Sequence, residues 1–422
     1  GFSLLIISIV FMQEKGFPGW QATIPIAATV LIIMAGKDAI LNRWILSNKV
    51  LVWFGLISYP MYLWHWPLIS MARIVKSEPP PVIYCAVAFV ACTILAWLTT
   101  KLIENPLRFG EYGKVKTVGL FLVMLVMGCV GYGIFLKQGI PSRYLSEKEI
   151  DRQRNIESFM SVTKKRCDAV FPDWSAGTKS SCRFEKEEGK NTVAIIGDSH
   201  GWQLFYGLSQ VMPDEDGVVS FSVNESTPFL DVTVWMKKSL GKAAKRYLYH
   251  KKAYEYIIKH PEIKTVVIAH RPFLSFDEAI DNKNPREKNP RKVMDNGIRR
   301  TFDLLKEFNK QVVVVLDNPQ LPFNTRATYN RPNIGSLRQG TFRRSVHENF
   351  EPTAVYNAQM KNIIKDYSNV TYVDLADVLC DFMDCYAVKN GKPLYGDNNH
   401  LNFDGSLYVA PAIVNKINQI SK

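Results

Sequence analysis

Charge is scarce in the first third of this 422-residue chain: residues 1–141 hold 11 of its 52 Lys and Arg and 5 of its 39 Asp and Glu. That scarcity excludes a wholly soluble protein. An apolar share of 47% excludes a disordered chain, and 25 Gly in 422 residues are far too few for a collagen. With only 7 Cys over this length, a small disulfide scaffold is excluded as well. No internal repeat is present, and no basic stripe accompanies the net charge of +13. Without such a stripe nucleic acid is not expected as a partner.

What the first third does contain is four uncharged stretches, residues 16–36, 50–72, 82–100 and 117–136. Each approaches the ~20 residues needed to cross a hydrocarbon core of ~30 Å. A fifth apolar stretch, residues 1–12, is too short to span. The chain opens at Gly1, inside this run and without Met. It is therefore read as a fragment preceded by further membrane segments. Membrane lipids are expected partners. The short loops carry the orientation signal. Lys37, Arg43, Lys49, Lys101, Arg108, Lys114 and Lys116 fall on one side, and Lys15, Arg73 and Lys76 on the other. The richer side is assigned to the cytoplasm, which places everything beyond about Gln138 outside it.

The cysteines agree with that placement. Cys85, Cys92 and Cys129 fall in apolar spans and read as buried small hydrophobes. Cys167 with Cys182, and Cys380 with Cys385, are close-set pairs in the outer part. An oxidising compartment favours two local disulfides. A zinc site is the competing reading, but there is no C-x-x-C and no His cluster, so no metal is expected.

Beyond residue 190 the patterning alternates. Short β-branched runs at 192–196, 218–223, 265–269, 312–316 and 370–373 suit strands buried on both faces of a parallel sheet. Helical patterns at 202–212, 247–259, 294–308, 354–366 and 405–420 separate them. The fold class expected is thus a partial membrane α-helical bundle over 1–137 and an α/β doubly wound domain over 191–422. Residues 138–190 read as a polar linker with no clear period, and residues 275–292 as a surface loop.

In such a sheet, function gathers at the carboxyl ends of the strands. The first strand runs into Gly197-Asp198-Ser199-His200 and then a helical pattern. A Ser at that turn is placed to act as a nucleophile, with helix N-terminal amides to receive an oxyanion. The same residues also suit a plain helix N-cap. Far downstream, Asp397-Asn398-Asn399-His400 puts a carboxylate and an imidazole in one turn. His400 is then a base for the Ser199 hydroxyl, and Asp397 fixes its tautomer. His65, between Trp64 and Trp66 in a span, reads either as an interfacial anchor or as part of a membrane-domain pocket.

Gly197-Asp198-Ser199-His200 and Asp397-Asn398-Asn399-His400 resemble the first and last blocks of the SGNH hydrolase superfamily. Ser58-Tyr59-Pro60-Met61-Tyr62-Leu63-Trp64-His65-Trp66-Pro67 and Ile103-Glu104-Asn105-Pro106-Leu107-Arg108 resemble late segments of the acyltransferase-3 membrane family. Cys380 and Cys385, followed by Leu394-Tyr395-Gly396-Asp397, are similar to proteins that fuse the two. The resemblance implies an SGNH-like outer domain with Ser199 as nucleophile, His400 as base and Asp397 as its partner. Where that superfamily has Gly-x-Asn-Asp, this chain reads Ala269-His270-Arg271-Pro272. Arg271 reads either as a substitute oxyanion donor beside the Ser199 amide or as a surface Arg. The resemblance further implies an O-acyltransferase of a Gram-negative inner membrane, with its outer domain in the periplasm. Acetyl-CoA or another acyl-CoA is the expected donor. A surface polysaccharide or lipid-linked glycan, such as the O-antigen of lipopolysaccharide, is the expected acceptor. The rivals are a membrane-anchored carbohydrate esterase and a non-catalytic glycan-binding or export component.

Overall fold

The computed structural model describes residues 1–11, 19–76, 81–109, 111–137, 139–140, 146–172, 180–234, 240–271, 279–322, 341–343 and 351–420. The chain divides into two units, Gly1–Gly139 and Ile140–Lys422.

In the first unit, two helices among the described residues are long and apolar enough to cross a membrane, Val82–Phe109 and Gly113–Leu136. They cover the last two of the four expected spans. The other two differ. The helix Thr23–Met34 has 12 residues, or ~18 Å at ~1.5 Å per residue, short of a hydrocarbon core; residues 16–18 lie outside the described residues. Residues 50–72 fall in two helices, Lys49–Leu56 and Ser58–Lys76, separated at Ile57. Pro60 explains the break, because it has no N–H to give and its ring crowds the carbonyl four residues back, that of Leu56. Between Ser58–Lys76 and Val82–Thr99, Trp64 Nε1 donates to Thr99 Oγ1 at 3.0 Å and Cys92 Sγ to the Met61 carbonyl at 3.3 Å. Cys92 is buried, but Cys85 and Cys129 are exposed. The expectation of three buried cysteines fails for two, because Gly113–Leu136 buries none of its residues and Cys85 lies near the open start of its helix.

The second unit is built on strands β1 (Ser180–Phe184), β2 (Val193–Gly197), β3 (Val218–Val223), β4 (Val232–Val234), β5 (Thr265–Ala269), β6 (Ala279–Asp281), β7 (Gln311–Leu316), β8 (Thr341–Arg343), β9 (Val370–Asp374) and β10 (Asp384–Tyr386). Six form one sheet in the order β1-β3-β2-β5-β7-β9, while β4 pairs with β6 and β8 with β10. From β3 to β9 every ladder is parallel, and β1 joins antiparallel at the edge. The central strands β2, β5 and β7 are apolar over almost their whole length because both faces are covered. Ala194 and Ile196 enter one core, under the helices Leu240–Lys259, Pro290–Glu307 and Glu351–Ile364. Val193 and Ile195 enter the other, under Phe205–Val211 and Phe403–Ile420. This is the doubly wound α/β architecture expected. The strand order reverses between β2 and β5, so a crevice at their carboxyl ends is the natural site.

Residues 146–172 and 180–190 are more than a connector. The helix Glu147–Val170 buries Ile156, Met160, Thr163 and Cys167, a three-to-four-residue stripe diluted by charged neighbours. The disulfide Cys167–Cys182 ties that helix to β1, and Cys380–Cys385 closes a second, shorter loop. In the expected loop at 275–292, residues 275–278 lie outside the described residues. The remainder supplies β6 and the start of Pro290–Glu307.

Candidate active site

The site begins where β2 can approach β5 only through glycine. Gly197 pairs with Ala269, and a Cβ on Gly197 would lie 1.8 Å from the Ala269 carbonyl oxygen. The chain then turns. Asp198 caps the short helix Ser199–Trp202, its Oδ1 accepting from the His200 amide at 2.8 Å. Its Oδ2 accepts from the Arg271 amide at 3.0 Å, so one carboxylate joins the ends of β2 and β5 across the switch point. Asp198 is buried, and burial raises its pKa against the opposing pull of His200 and the two amides. Ser199, at the first helical position, keeps an amide with no acceptor inside the helix.

The second half arrives from the loop before Phe403–Ile420. The Gly396 amide donates to the His400 carbonyl at 2.8 Å, closing a turn. Within it, Asp397 Oδ1 accepts from the amides of Asn399 at 2.9 Å and His400 at 2.8 Å. Asp397 Oδ2 lies 2.9 Å from His400 Nδ1, and His400 Nε2 lies 2.9 Å from Ser199 Oγ. A carboxylate only accepts, so Nδ1 carries the imidazole proton and Nε2 accepts from the Ser199 hydroxyl. Burial alone would raise the Asp397 pKa, but the two amides and the His400 ring outweigh it and hold the carboxyl below its ordinary range. Ser199, His400 and Asp397 therefore form one continuous line from nucleophile to carboxylate. That arrangement can pass a hydroxyl proton to imidazole.

Polar groups that the sequence reading did not single out fix the loop in place. Gln203 Oε1 accepts from the Leu401 amide at 2.7 Å, and Gln203 Nε2 donates to Asn318 Oδ1 at 2.7 Å. Asn318 Nδ2 in turn donates to the Asn399 carbonyl at 2.8 Å. The Leu321 amide donates to the Asn398 carbonyl at 2.7 Å, and the Tyr395 hydroxyl to the Pro319 carbonyl at 2.9 Å. The available signal was the polar run Asp317-Asn318-Pro319-Gln320 directly after β7. A second pair lies behind the first. His200 Nδ1 is 2.6 Å from Asp317 Oδ1, with side chains 2% and 10% exposed, and the His200 ring centroid is 4.8 Å from that of His400. His200 Nε2 is buried without a partner. Burial lowers the proton affinity of His200, but the adjacent Asp317 carboxylate outweighs it and leaves the pKa raised. His270, after β5, is also buried, and its pKa is pushed down to about 3 by that burial, which keeps the ring neutral.

Arg271 is held at both its backbone and its side chain. Its amide is taken by Asp198, and its guanidinium Nη2 donates to Gln320 Oε1 at 2.8 Å. The cleft beside Ser199 encloses about 780 Å³, and its lining includes Asn224 but not Arg271. Asn224, one residue past β3, is one of the neutral polar residues in that lining, with Trp202, Gln203, Tyr206 and Asn402. His65 lies in the first unit on the wall of a cavity of about 690 Å³ that also includes Ser58, Met61, Cys85 and Cys92. Its Nδ1 is 2.5 Å from the Tyr62 carbonyl. Among the described residues, no group of three or more His, Cys, Asp and Glu is arranged to hold a metal ion.

A sequence profile of the SGNH domain as fused to AT3 domains matches residues 166–415. The chain belongs to that family. The match runs from the helix preceding β1 into the helix Phe403–Ile420, so the SGNH domain contains both halves of the site. Among curated relatives, YrhL of Bacillus subtilis is 32% identical over 111 residues, 25% of this chain and 18% of YrhL. The peptidoglycan O-acetyltransferase OatA of Listeria monocytogenes is 36% identical over 108 residues, 25% of this chain and 17% of OatA. The matched stretches thus span less than a fifth of either relative. Among solved structures, the periplasmic domain of a lipopolysaccharide acetyltransferase from Salmonella Paratyphi A aligns at 17% identity with a TM-score of 0.39, covering 55% of this chain and 85% of that one.

Proposed function

We propose that the SGNH domain transfers an acyl group, acetyl in the first instance, to a hydroxyl of a surface polysaccharide such as the O-antigen of lipopolysaccharide. The observation that carries this reading is the unbroken line Asp397–His400–Ser199 at the carboxyl ends of the parallel strands. Ser199 Oγ attacks the acyl carbonyl as its proton passes to His400 Nε2. The donor's leaving group departs with that proton, and an acyl-Ser199 ester remains. A sugar hydroxyl then attacks the ester, gives its proton to His400, and takes the acyl group while the proton returns to Ser199 Oγ. The Ser199 amide and Asn224 are the donors available to the oxyanion. Asp397 stays ionised and holds the imidazolium that forms in each half.

The acyl donor is acetyl-CoA on the cytoplasmic side of a bacterial inner membrane. The group crosses through the membrane unit, and the SGNH domain lies in the periplasm. The apolar helices Val82–Phe109 and Gly113–Leu136 support the membrane setting, and Lys101, Arg108, Lys114 and Lys116 around their junction support the orientation. The named activity of OatA supports transfer of acetyl to a glycan hydroxyl. The test is mass analysis of surface polysaccharide from cells carrying the full-length gene or its Ser199→Ala variant. Acetyl groups present with the first and missing with the second are expected; identical polysaccharides sink the reading.

One observation favours a second reading. The His400 side chain is 34% exposed, so water reaches the imidazole in an unfilled cleft. A carbohydrate esterase would use the same three residues with water as acceptor, and only a glycan that fills the cleft excludes it. Rapid hydrolysis of an ester donor, undiminished and without transfer when glycan is added, would select the esterase.

A further inference from the structure

The cleft that holds Ser199 also holds a cation with no counter-charge. Arg183, on β1, lines it together with Trp202, Tyr206, Asn224 and Phe403. The Arg183 Nη1 donates to the Met160 carbonyl and lies 3.5 Å from Thr163 Oγ1, and its Nε is buried with no partner. Among the described residues no carboxylate lies within ion-pair distance of it. Asp168, which acts on Arg183 through space, is itself paired with Lys164 at 2.5 Å. Arg152 is a useful contrast. It bonds Asp404 at 2.7 Å and Glu149 at 3.1 Å, so its charge is answered within the protein. A half-buried guanidinium left unanswered is costly unless a ligand supplies the anion.

The rest of the wall suits a sugar. Tyr206 packs edge-on against Phe403, with centroids 5.0 Å apart, and against Phe159 at 5.9 Å, which fixes its ring. Trp202 stands in the same lining, one helical turn from Ser199. Fixed aromatic surfaces take the apolar C–H faces of pyranose rings, and Asn224 adds hydrogen-bonding capacity for hydroxyls.

We propose that this cleft selects an acidic glycan: a sugar that stacks on the Trp202, Tyr206 and Phe403 wall and pairs a carboxylate or phosphate with Arg183. The inference rests on the transferase reading in taking the occupant to be the acyl acceptor. Arg183 is a specificity residue in it and takes no part in the proton transfers. Its Nε is buried and its Nη1 is held by the Met160 carbonyl, so the anion is met through Nη2, with the delocalised charge of the guanidinium behind it.

The test separates binding from turnover. The full chain in detergent, carrying Ser199→Ala, is titrated calorimetrically with a uronic acid oligosaccharide, its carboxyl-reduced counterpart and a phosphorylated neutral oligosaccharide. The acidic forms are expected to bind at least roughly tenfold tighter than the reduced one, as a charge-assisted pair implies. Whichever of the carboxylate and the phosphate binds tighter identifies the source of the anion. Adding Arg183→Gln should erase the preference; if that variant does not fold, Arg183→Lys serves, with a reduced preference expected. Equal binding of the acidic and reduced sugars overturns the proposal. So does a preference that survives in folded Arg183→Gln. If binding behaves as expected while the active chain acylates none of these sugars, the transferase reading fails and the anion site stands.

Discussion

Two histidine–carboxylate pairs stand side by side at the rim of the sheet, and they differ in almost everything except composition. His400 and Asp397 come from a loop, are partly exposed, and present Nε2 to a serine hydroxyl. His200 and Asp317 come from the ends of β2 and β7, are enclosed, and leave Nε2 facing no partner. The lesson is that an imidazole held by a carboxylate is not yet a base. It becomes one only when its second nitrogen meets a transferable proton in a place a substrate can reach. The enclosed pair reads instead as support, ordering the rim from which Ser199 projects.

That contrast can be broken by mutation. The largest effect is expected for Ser199→Ala and His400→Ala, which should each lower acyl transfer by about 10⁴-fold or more, as losses within a cooperating triad do. Turnover of an ester donor reads the loss, while thermal melting should stay close to that of the parent. Next is Asp397→Asn, which keeps the shape but no longer stabilises the Nδ1 proton; a loss of about 10³–10⁴-fold in kcat with little change in KM is expected. For the enclosed pair the pattern should invert. His200→Phe strands the Asp317 carboxylate in the interior and should cost about 3 kcal/mol in chemical denaturation. The folded fraction should lose far less activity than His400→Ala. A His200→Phe protein that is stable yet inactive would erase the distinction drawn between the two pairs.

The smallest effect concerns a carboxyl with no histidine at all. Glu185 Oε2 accepts from the Val218 amide at 3.0 Å, and burial pushes its pKa up to about 7 despite that bond and the nearby Lys186 and Arg166 charges. In the unfolded chain it ionises near the ordinary 4.5. Between those two values the folded state binds more protons, so stability falls as pH rises and then levels off above the folded value. Glu185→Gln, which can still accept the Val218 amide, should flatten that slope and gain about 1 kcal/mol near pH 8 once solvent screening is allowed for. Denaturation midpoints across pH provide the check, and an unchanged slope would remove Glu185 as its source.

Much of this architecture was legible because the signals are local. The parallel strands are short runs rich in β-branched residues, and all five were readable to within a residue at each end. Asp397 and His400 sit within one turn, so their pairing needed no knowledge of the fold. The helix Glu147–Val170 hid because only four of its residues are fully buried and charged or polar residues crowd between them. For Arg271 the sequence left an oxyanion donor and a surface residue open, because position after β5 says where a residue starts, not where its side chain goes; its guanidinium meets Gln320, about fifty residues on. Gln203, Asn318 and the His200–Asp317 pair were unreadable for the same reason. Their partners lie 81 to 198 residues away, and nothing periodic announces such meetings.

The distance along the chain between Ser199 and His400 is 201 residues. Such a span means that neither side chain is reactive on its own account; each is an ordinary surface group until the intervening sheet is assembled. The Leu401 amide anchored on Gln203 makes arrival of the imidazole and docking of its loop a single event. A chain still being synthesised, or one partly unfolded by heat, therefore carries a silent hydroxyl. It cannot strip acyl groups from bystander esters, and enzymatic competence reports on completion of the whole domain.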